Sequence, residues 1–321
     1  MIVTVTANPA TDRLISLLEP LEPGAVLRSE AAHDDPGGKG INVARVLHAA
    51  GVPVTAVLPG AEDEPLLAAL DDLGLSYRAV PVRERLRVNL TLADPDGTTT
   101  KINSPGPTLD EDELKQLTET LVDAAHPGDW AVLSGSLPPG VPGDWYAATT
   151  NALKQAGVRV AVDTSGDALG RTVEHASPDL LKPNSDELAE LLGCDASEIE
   201  RDHGQAAARA QQLRETGGVG TVLLTLGGDG AVLATAEGSW FCPPVRITQR
   251  STVGAGDSSL AGYLVAEVAG RSPAECLASA AAHGAAAASL PGSALPVPTD
   301  LPPLPTAVAV EPASWRTTWN S

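Results

Sequence analysis

Short runs of β-branched and other apolar residues recur along this chain, and segments with helical periodicity lie between them. The strand-like runs are residues 2–6, 54–58, 130–133, 158–162 and 221–226. The helix-like segments are residues 42–50, 110–125, 145–156 and 205–215. Strand followed by helix, repeated, predicts an α/β fold whose central sheet is mostly parallel and is covered on both faces. Sites in such sheets form at the carboxyl ends of the strands, so functional residues are expected in the loops after these runs.

Two segments interrupt the alternation. Residues 14–30 have no helical pattern, and residues 86–102 read as two strands, 87–93 and 98–102, joined by the turn Asp94-Pro95-Asp96-Gly97. We expect one domain over residues 1–310, with a small β lid inserted at 12–32 and 86–103. A surface hairpin without a role is the alternative. Proline is dense from Leu290 onward, which predicts an extended cover and a flexible tail at 311–321.

The charge and the cysteine content of the chain restrict which binding partners and which cellular compartment are expected. The 41 acidic and 21 basic residues give a net charge of -20, which argues against a nucleic acid or an anionic membrane as partner. The three cysteines are far apart, so neither a disulfide framework nor a zinc site is indicated. The N-terminus lacks a signal-peptide pattern, and no apolar run is long enough to span a bilayer. We therefore expect a cytoplasmic protein.

The most informative loop is Ser251-Thr252-Val253-Gly254-Ala255-Gly256-Asp257-Ser258, which opens an apolar helical pattern. Two glycines before a helix let several backbone N–H groups converge, and the helix dipole adds positive potential, so this loop predicts an anion hole. Asp257, in the first helical turn, would lie beside a bound phosphate and could take a proton from an attacking hydroxyl. Alternatively, Asp257 only caps the helix.

A second glycine-rich loop, Asp35-Pro36-Gly37-Gly38-Lys39-Gly40-Ile41-Asn42, also opens a helix. Its glycines permit close approach of the backbone to a ligand, and Asn42 can both donate and accept hydrogen bonds to hydroxyls. Lys39 adds a point charge suited to phosphate. A tight strand-to-helix turn without a ligand is the alternative.

Together these two loops resemble the paired signatures of the ribokinase-like, or PfkB, family of carbohydrate kinases. Three further segments resemble family motifs: Thr6-Ala7-Asn8-Pro9-Ala10-Thr11-Asp12, Ser134-Gly135-Ser136-Leu137-Pro138-Pro139-Gly140 and Lys182-Pro183-Asn184-Ser185-Asp186-Glu187. The resemblance covers nearly the whole chain. It implies a three-layer ribokinase-like fold with a small β-sheet lid, and ATP-dependent phosphorylation of a sugar with ATP and Mg²⁺ as cofactors.

On the substrate side, the resemblance implies that Asp12 holds sugar hydroxyls beside Gly38 and Asn42. A carboxylate suits this task because it accepts two hydroxyl hydrogen bonds at once. Taken alone, Asp12 would more readily be explained by a turn after Asn8-Pro9. For a phosphate group and the rest of the sugar, the implied contacts are Arg87, Arg28, Lys39 and Ser136. Arg28 could equally be a solvated surface charge.

On the nucleotide side, the resemblance implies that Asn184 and Glu187 support Mg²⁺ through water. A capping box formed by the same two residues is the alternative, and the two roles are compatible. The implied ATP contacts are Lys182, Asn184, Thr225, Gly227, Gly230, Thr252 and Gly284. His283, which has no acidic or Ser partner in the sequence pattern, is interpreted as contributing shape and not catalysis.

Within the family, the loop at residues 37–45 resembles the branch that phosphorylates sugar phosphates. It is most similar to 1-phosphofructokinases and tagatose-6-phosphate kinases, whereas the minor 6-phosphofructokinase has Gly where Lys39 stands. The implied reaction is phosphorylation of a ketohexose phosphate. For a 1-phosphofructokinase the product is fructose 1,6-bisphosphate. A kinase of an unphosphorylated sugar or nucleoside, or a non-catalytic sugar-phosphate sensor, would also be compatible with these motifs. Lids in relatives often pair, so we expect a homodimer through the lid.

Overall fold

Two β-sheets, one of ten strands and one of four, are formed by the part of the chain that the computed structural model describes, residues 1–200, 202–311 and 313. The strands are β1 (Ile2–Val5), β2 (Ala10–Leu17), β3 (Ser29–Gly37), β4 (Val54–Pro59), β5 (Tyr77–Val80), β6 (Arg87–Ala93), β7 (Thr99–Ile102), β8 (Trp130–Ser134), β9 (Arg159–Asp163), β10 (Leu180–Leu181), β11 (Thr221–Thr225), β12 (Ala231–Thr235), β13 (Gly238–Cys242) and β14 (Val308–Ala309). The helices are α1 (Lys39–Ala49), α2 (Pro65–Asp72), α3 (Glu111–Ala124), α4 (Trp145–Gln155), α5 (Gly166–His175), α6 (Ser185–Leu192), α7 (Ala196–Glu200), α8 (His203–Thr216), α9 (Ala255–Val268) and α10 (Pro273–Ser289).

The large sheet has the strand order β14-β13-β12-β11-β10-β9-β8-β1-β4-β5. The pairs from β5 to β11 are parallel, and only β12, β13 and β14 join antiparallel. The predicted mostly parallel sheet is therefore confirmed. Because β4 and β8 flank β1 on opposite sides, the strand order reverses at β1, and ligands bind beside the carboxyl ends at such a reversal.

Both faces of the large sheet are buried, since successive strand residues point to opposite sides. Ile2 belongs to a buried apolar cluster with Leu47 of α1 and Leu264 of α9. Its neighbour Val3 belongs to a second cluster with Leu121 of α3. The chain thus forms three layers, helix on sheet on helix, as predicted.

The small sheet has the order β3-β2-β6-β7, with β2 and β6 parallel and the other pairs antiparallel. The predicted hairpin forms, since the Asp94 N–H donates to the Thr98 carbonyl at 2.8 Å. The region of residues 14–30 that lacked a helical pattern supplies the second half of β2 and the first two residues of β3. The sheet extends beyond the predicted bounds, because β2 begins at Ala10 and β3 ends at Gly37.

Cys194, Cys242 and Cys276 are free thiols in the described part of the chain. The predicted tail at 311–321 falls, apart from Glu311 and residue 313, outside the described residues. Among the described residues, no helix has both the length and the apolar character needed to cross a bilayer.

Candidate active site

Polar side chains from four elements meet at the carboxyl ends of the central strands. Asn42 in the first turn of α1 donates through Nδ2 to Asp257 Oδ2 in the first turn of α9, at 2.8 Å. Lys39 Nζ lies 3.0 Å from Asp163 Oδ1 at the end of β9. Lys182 Nζ, just after β10, lies 3.3 Å from Asp163 Oδ2. The structure therefore brings four predicted residues together around one that was not predicted, Asp163.

Glycines set how closely α1 approaches β1. Gly38 precedes α1 with a φ of 114°, which other residues rarely adopt, and a Cβ there would lie 2.6 Å from Thr6 Cγ2. A Cβ on Gly40 would lie 2.5 Å from the Val5 carbonyl oxygen. The loop can therefore pass directly over the end of β1, and it carries Lys39 and Asn42 into the site with it.

Gly254 forms the N-cap of α9 in the left-handed conformation, with a φ of 72° and no side-chain cap. The backbone N–H groups of Gly256 and Asp257 make no hydrogen bond within the described part of the chain. Two unpaired donors at a helix N-terminus are a geometry that can bind an anion, which is the role the sequence analysis gave this loop. The alternative that Asp257 caps the helix is not realised, because its side chain pairs with Asn42.

The environment of Asp257 shifts its protonation. The residue is 6% exposed, and burial, together with repulsion from the Asp163 charge, raises the pKa of Asp257 to about 6. Lys39, the Asn42 hydrogen bond and Lys182 oppose this rise. A carboxylate with a raised pKa, in hydrogen-bond contact with a second polar group, has the properties of a general base.

Asp163 is the most important residue that sequence reasoning missed. Its side chain is fully buried. Burial by itself would raise the pKa of Asp163, but the Lys182 and Lys39 ammonium groups outweigh burial and hold this pKa below its usual range. The available signal was an aspartate that closes a buried strand run at its carboxyl end, the edge where sites of this architecture form.

Beside this cluster, the small sheet contributes Asp12 on β2. Asn89 Nδ2 on β6 donates to Asp12 Oδ1 at 2.9 Å, and Asn89 was not predicted either. Burial raises the pKa of Asp12, and the Asn89 hydrogen bond and the Arg87 charge oppose that rise. A Cβ on Gly37 would overlap the Asp12 carboxylate, so a larger residue there would displace that carboxylate.

The predicted phosphate contacts do not all lie in one place. Arg87 lies at the start of β6, where its two terminal nitrogens donate to the Ser104 carbonyl at 3.0 Å and the Asn8 carbonyl at 2.9 Å. Ser136 is exposed after β8, and its Oγ accepts from Asn8 Nδ2 at 3.3 Å. Arg28 is exposed just before β3, at the end of the β2–β3 hairpin away from Asp12. Within this chain, Arg28 therefore does not lie beside the other predicted phosphate contacts.

The predicted nucleotide residues lie along the neighbouring strand ends. Asn184 forms a parallel bridge with Thr225 at the end of β11. Gly227 opens a short 3₁₀ turn at residues 227–229, and Gly230 has a φ of 107°. A Cβ on Gly284 of α10 would overlap Ser259 Oγ of α9, so Gly284 sets the contact between these helices.

Two further residues complete the nucleotide side. Thr252 is exposed two residues before Gly254. His283 is buried, and its Nδ1 lies 2.8 Å from the Ser279 carbonyl oxygen within α10. Burial lowers the pKa of His283, which keeps the imidazole neutral. This packing supports the interpretation that His283 contributes shape.

Asn184 and Glu187 form the capping box that was one of the two predicted alternatives. Asn184 Oδ1 accepts from the Glu187 N–H at 2.8 Å, and Glu187 Oε2 accepts from the Asn184 N–H at 2.9 Å. Glu187 Oε1 is left without a partner among the described residues. No cluster of three or more His, Cys, Asp or Glu that could cage a metal is found among them.

Comparison with known proteins gives consistent matches over the chain. The family described as pfkB family carbohydrate kinase matches residues 5–300. The 1-phosphofructokinase of Rhodobacter capsulatus is 35% identical over 319 residues, which are 97% of this chain and 97% of that protein. The ATP-dependent 6-phosphofructokinase isozyme 2 of Mycobacterium tuberculosis is 35% identical over 298 residues, covering 91% and 85% of the two chains. The crystal structure of phosphofructokinase-2 from Escherichia coli in complex with potassium has a TM-score of 0.87 and 31% identity, covering 93% of this chain and 96% of that chain.

We predict that Asp163→Asn lowers the free energy of unfolding by about 3 kcal/mol, because it leaves Lys39 and Lys182 without their buried counter-charge. Urea unfolding followed by circular dichroism measures this loss. Asp34→Asn is the matched control, since Asp34 pairs with Arg13 at 2.6 Å on the surface. Exposed pairs contribute little, so the control should change the urea midpoint far less. Equal losses for the two variants would contradict the structural role of Asp163.

Proposed function

Because this chain belongs to the pfkB family of carbohydrate kinases, we propose that it transfers the γ-phosphoryl group of ATP to a hydroxyl of a ketohexose phosphate. The proposed reaction is that of a 1-phosphofructokinase, which gives fructose 1,6-bisphosphate. One observation carries the proposal: Asp257 is buried at the N-terminus of α9, beside unpaired N–H groups, and is oriented by Asn42. A proton acceptor and an anion site are thereby adjacent.

In the proposed mechanism, Asp257 accepts the proton of the attacking hydroxyl as the bond to phosphorus forms. Phosphoryl transfer passes through a loose transition state, so the protein mainly positions the reactants and stabilises the charge on the transferred oxygens. The Gly256 and Asp257 N–H groups face that charge, and Lys39 adds an ammonium group beside them. Burial of the site excludes water, which limits hydrolysis of ATP.

Asp12 and Asn42 hold the sugar so that one hydroxyl faces Asp257. Asp12 accepts hydrogen bonds from hydroxyls, and Asn42 can donate or accept them. The small sheet that carries Asp12 covers the sugar. Arg87, with three of its five N–H donors unused within the described chain, and Lys39 are the groups that fit the phosphate already present on the substrate.

The residues also fit a magnesium ion held through water. Mg²⁺ usually keeps several waters and uses one or two carboxylates together with substrate phosphates, so a full protein cage is not required. Glu187 offers the unpartnered Oε1, while the capping box fixes the orientation of its carboxylate. When bound, the ion would neutralise charge on the ATP phosphates.

The proposal is tested by measuring ADP release with fructose 1-phosphate, fructose 6-phosphate, tagatose 6-phosphate and free fructose, followed by identification of the product. We expect turnover with a ketohexose phosphate, and Asp257→Asn should lower kcat by several orders of magnitude while both substrates still bind. Near-normal kcat for Asp257→Asn would overturn the assignment of the base. Activity with free fructose alone would identify a kinase of an unphosphorylated sugar, and binding of a sugar phosphate without ADP release would identify a sensor.

The raised pKa of Asp257 predicts the pH dependence. A base must be deprotonated to act, so kcat/KM for the sugar phosphate should fall as the pH drops below about 6. The second ionisation of a phosphate monoester lies close to the same pH, so a variant must separate the two groups. Asn42→Ala removes a hydrogen bond that lowers the pKa of Asp257, and the midpoint should move upward. A midpoint that stays in place would assign the titration to the substrate.

The homodimer through the small sheet also belongs to this proposal. Asp12 and Asn89 lie on the inner face of that sheet. Val88 and Leu90, the neighbours of Asn89 on β6, therefore point to the outer face. Ile102, which pairs with Leu90, lies on that outer face too. Val88 is 36% exposed and Ile102 is 52% exposed. Apolar side chains on the open face of a sheet with exposed edges favour pairing with another copy.

Sedimentation at micromolar concentration tests the dimer. We expect the wild-type chain to sediment as a dimer, and Ile102→Glu to shift it toward the monomer by burying a charge in the contact. Leu304→Glu is the control, because Leu304 is exposed to 62% outside the small sheet. A wild-type monomer in the presence of both substrates, or equal behaviour of the two variants, would count against this interface.

A further inference from the structure

Asn89 occupies a defined place in a row of polar side chains across the small sheet. It lies directly opposite Asp12 in the parallel pairing of β2 and β6, and Asp35 lies opposite Asp12 on the other side, in β3. Two carboxylates and one amide therefore share a row on the same face. Like charges in opposed positions repel, so Asp12 needs a hydrogen-bond donor on the side away from Asp35 to keep a fixed orientation.

The Asp12 carboxylate is held on two sides. Asn89 Nδ2 donates to Oδ1 at 2.9 Å, while Oδ2 lies against the backbone of Gly37, where no Cβ could be accommodated. Hydrogen bonds to an ionised group are stronger than neutral ones and fix orientation more firmly. Asn89 thus decides which way the carboxylate presents its remaining lone pairs.

Two buried polar atoms beside this pair have no partner within the described chain: Arg87 Nε and Asn89 Oδ1. Arg87 lies two residues before Asn89 on β6, so the two side chains point to the same face of the small sheet. Buried polar atoms in folded proteins nearly always have a partner. One donor and one acceptor without partners at this position indicate a place for polar groups of a ligand or for ordered water.

We propose that Asn89 is a positioning residue, which orients the Asp12 carboxylate toward the hydroxyls of the sugar. The inference rests on the proposed function and deepens its substrate side. Asn89 acts through Asp12 and not on the transferred phosphoryl group. Its removal therefore changes recognition of the sugar while the ATP side, built from other strands, is unaffected.

Steady-state kinetics with the ketohexose phosphate that the wild-type chain uses tests this role. We expect Asn89→Ala to lower kcat/KM for that substrate by about 10- to 100-fold, the range for loss of a hydrogen bond to a charged group, mainly through KM. The KM for ATP should change by less than about twofold on the same reasoning. Asn89→Asp should be worse than Asn89→Ala, because it places a third carboxylate in the row. Thr91→Ala, two residues along the same strand, is the matched control with near wild-type kinetics.

A double-mutant cycle separates positioning from a general structural effect. If Asn89 acts through Asp12, Asn89→Ala should add little to the loss in an Asp12→Ala background, whereas independent effects would add. Additive losses, or unchanged kcat/KM for Asn89→Ala, overturn the inference. Asn89→Ser replaces the alanine variant if the latter unfolds, as thermal unfolding would reveal.

The test also distinguishes this inference from the proposed function. A wild-type chain that turns over a sugar phosphate while Asn89→Ala does so equally well defeats only the role of Asn89. If the wild-type chain binds sugar phosphates without turnover, calorimetric titration with the same variants gives the same comparison, with weaker binding expected for Asn89→Ala. A wild-type chain that neither binds nor phosphorylates them defeats both.

Discussion

The arrangement of the active site depends on one buried carboxylate, Asp163, and on the two lysines that it holds. A carboxylate buried alone would be protonated, and two ammonium groups buried or half-buried without a counter-charge would repel each other. Lys39 comes from α1 and Lys182 from the end of β10, so the ion pairs tie two separate elements to the end of β9. The resulting net positive charge faces the N-terminus of α9, where an anion would bind.

The same arrangement explains why Asp257 has the properties of a base. Burial and the neighbouring Asp163 raise its pKa, whereas Lys39, Asn42 and Lys182 limit the rise. If only burial and the Asp163 charge acted, the carboxyl group of Asp257 would stay protonated at neutral pH and could not accept a proton. If only Lys39, Asn42 and Lys182 acted, Asp257 would be too weak a base. The balance depends on the positions of α1 and α9. Gly38 and Gly40 let the start of α1 lie directly against β1 and Thr6, and Gly254 lies against Leu295 at the start of α9.

Sequence reasoning recovered the family, the α/β fold and the glycine-rich loops, because these have strong local signals. Gly254 and Gly256 at the start of an apolar helix, together with the other family motifs, led to the prediction of an anion site, and repeated strand–helix patterns indicate a parallel sheet. Asn89 has no such local signal, and the signal of Asp163, an aspartate at the carboxyl end of a buried strand run, is weak. Each is an ordinary polar residue in a short strand, and its role exists only because a distant segment lies beside it: Lys39 for Asp163 and Asp12 for Asn89. The bounds of β2 and β3 were missed for a related reason, since charged residues such as Arg13 and Asp34 hide the strand pattern on a partly exposed sheet.

The segment that follows α10 connects the two halves of the site. Ser293 Oγ donates to Asp35 Oδ2 of β3 at 2.8 Å, and Leu14 of β2 packs near Gly292. On its other side, the Gly292 carbonyl accepts from Ser251 Oγ at 2.7 Å, and Leu295 lies against Gly254. The small sheet and the loop before α9 therefore share one short stretch of backbone. Asp35 of β3 and Gly254 at the start of α9 are both held against residues 292–295, so this segment fixes the position of the small sheet relative to the N-terminus of α9.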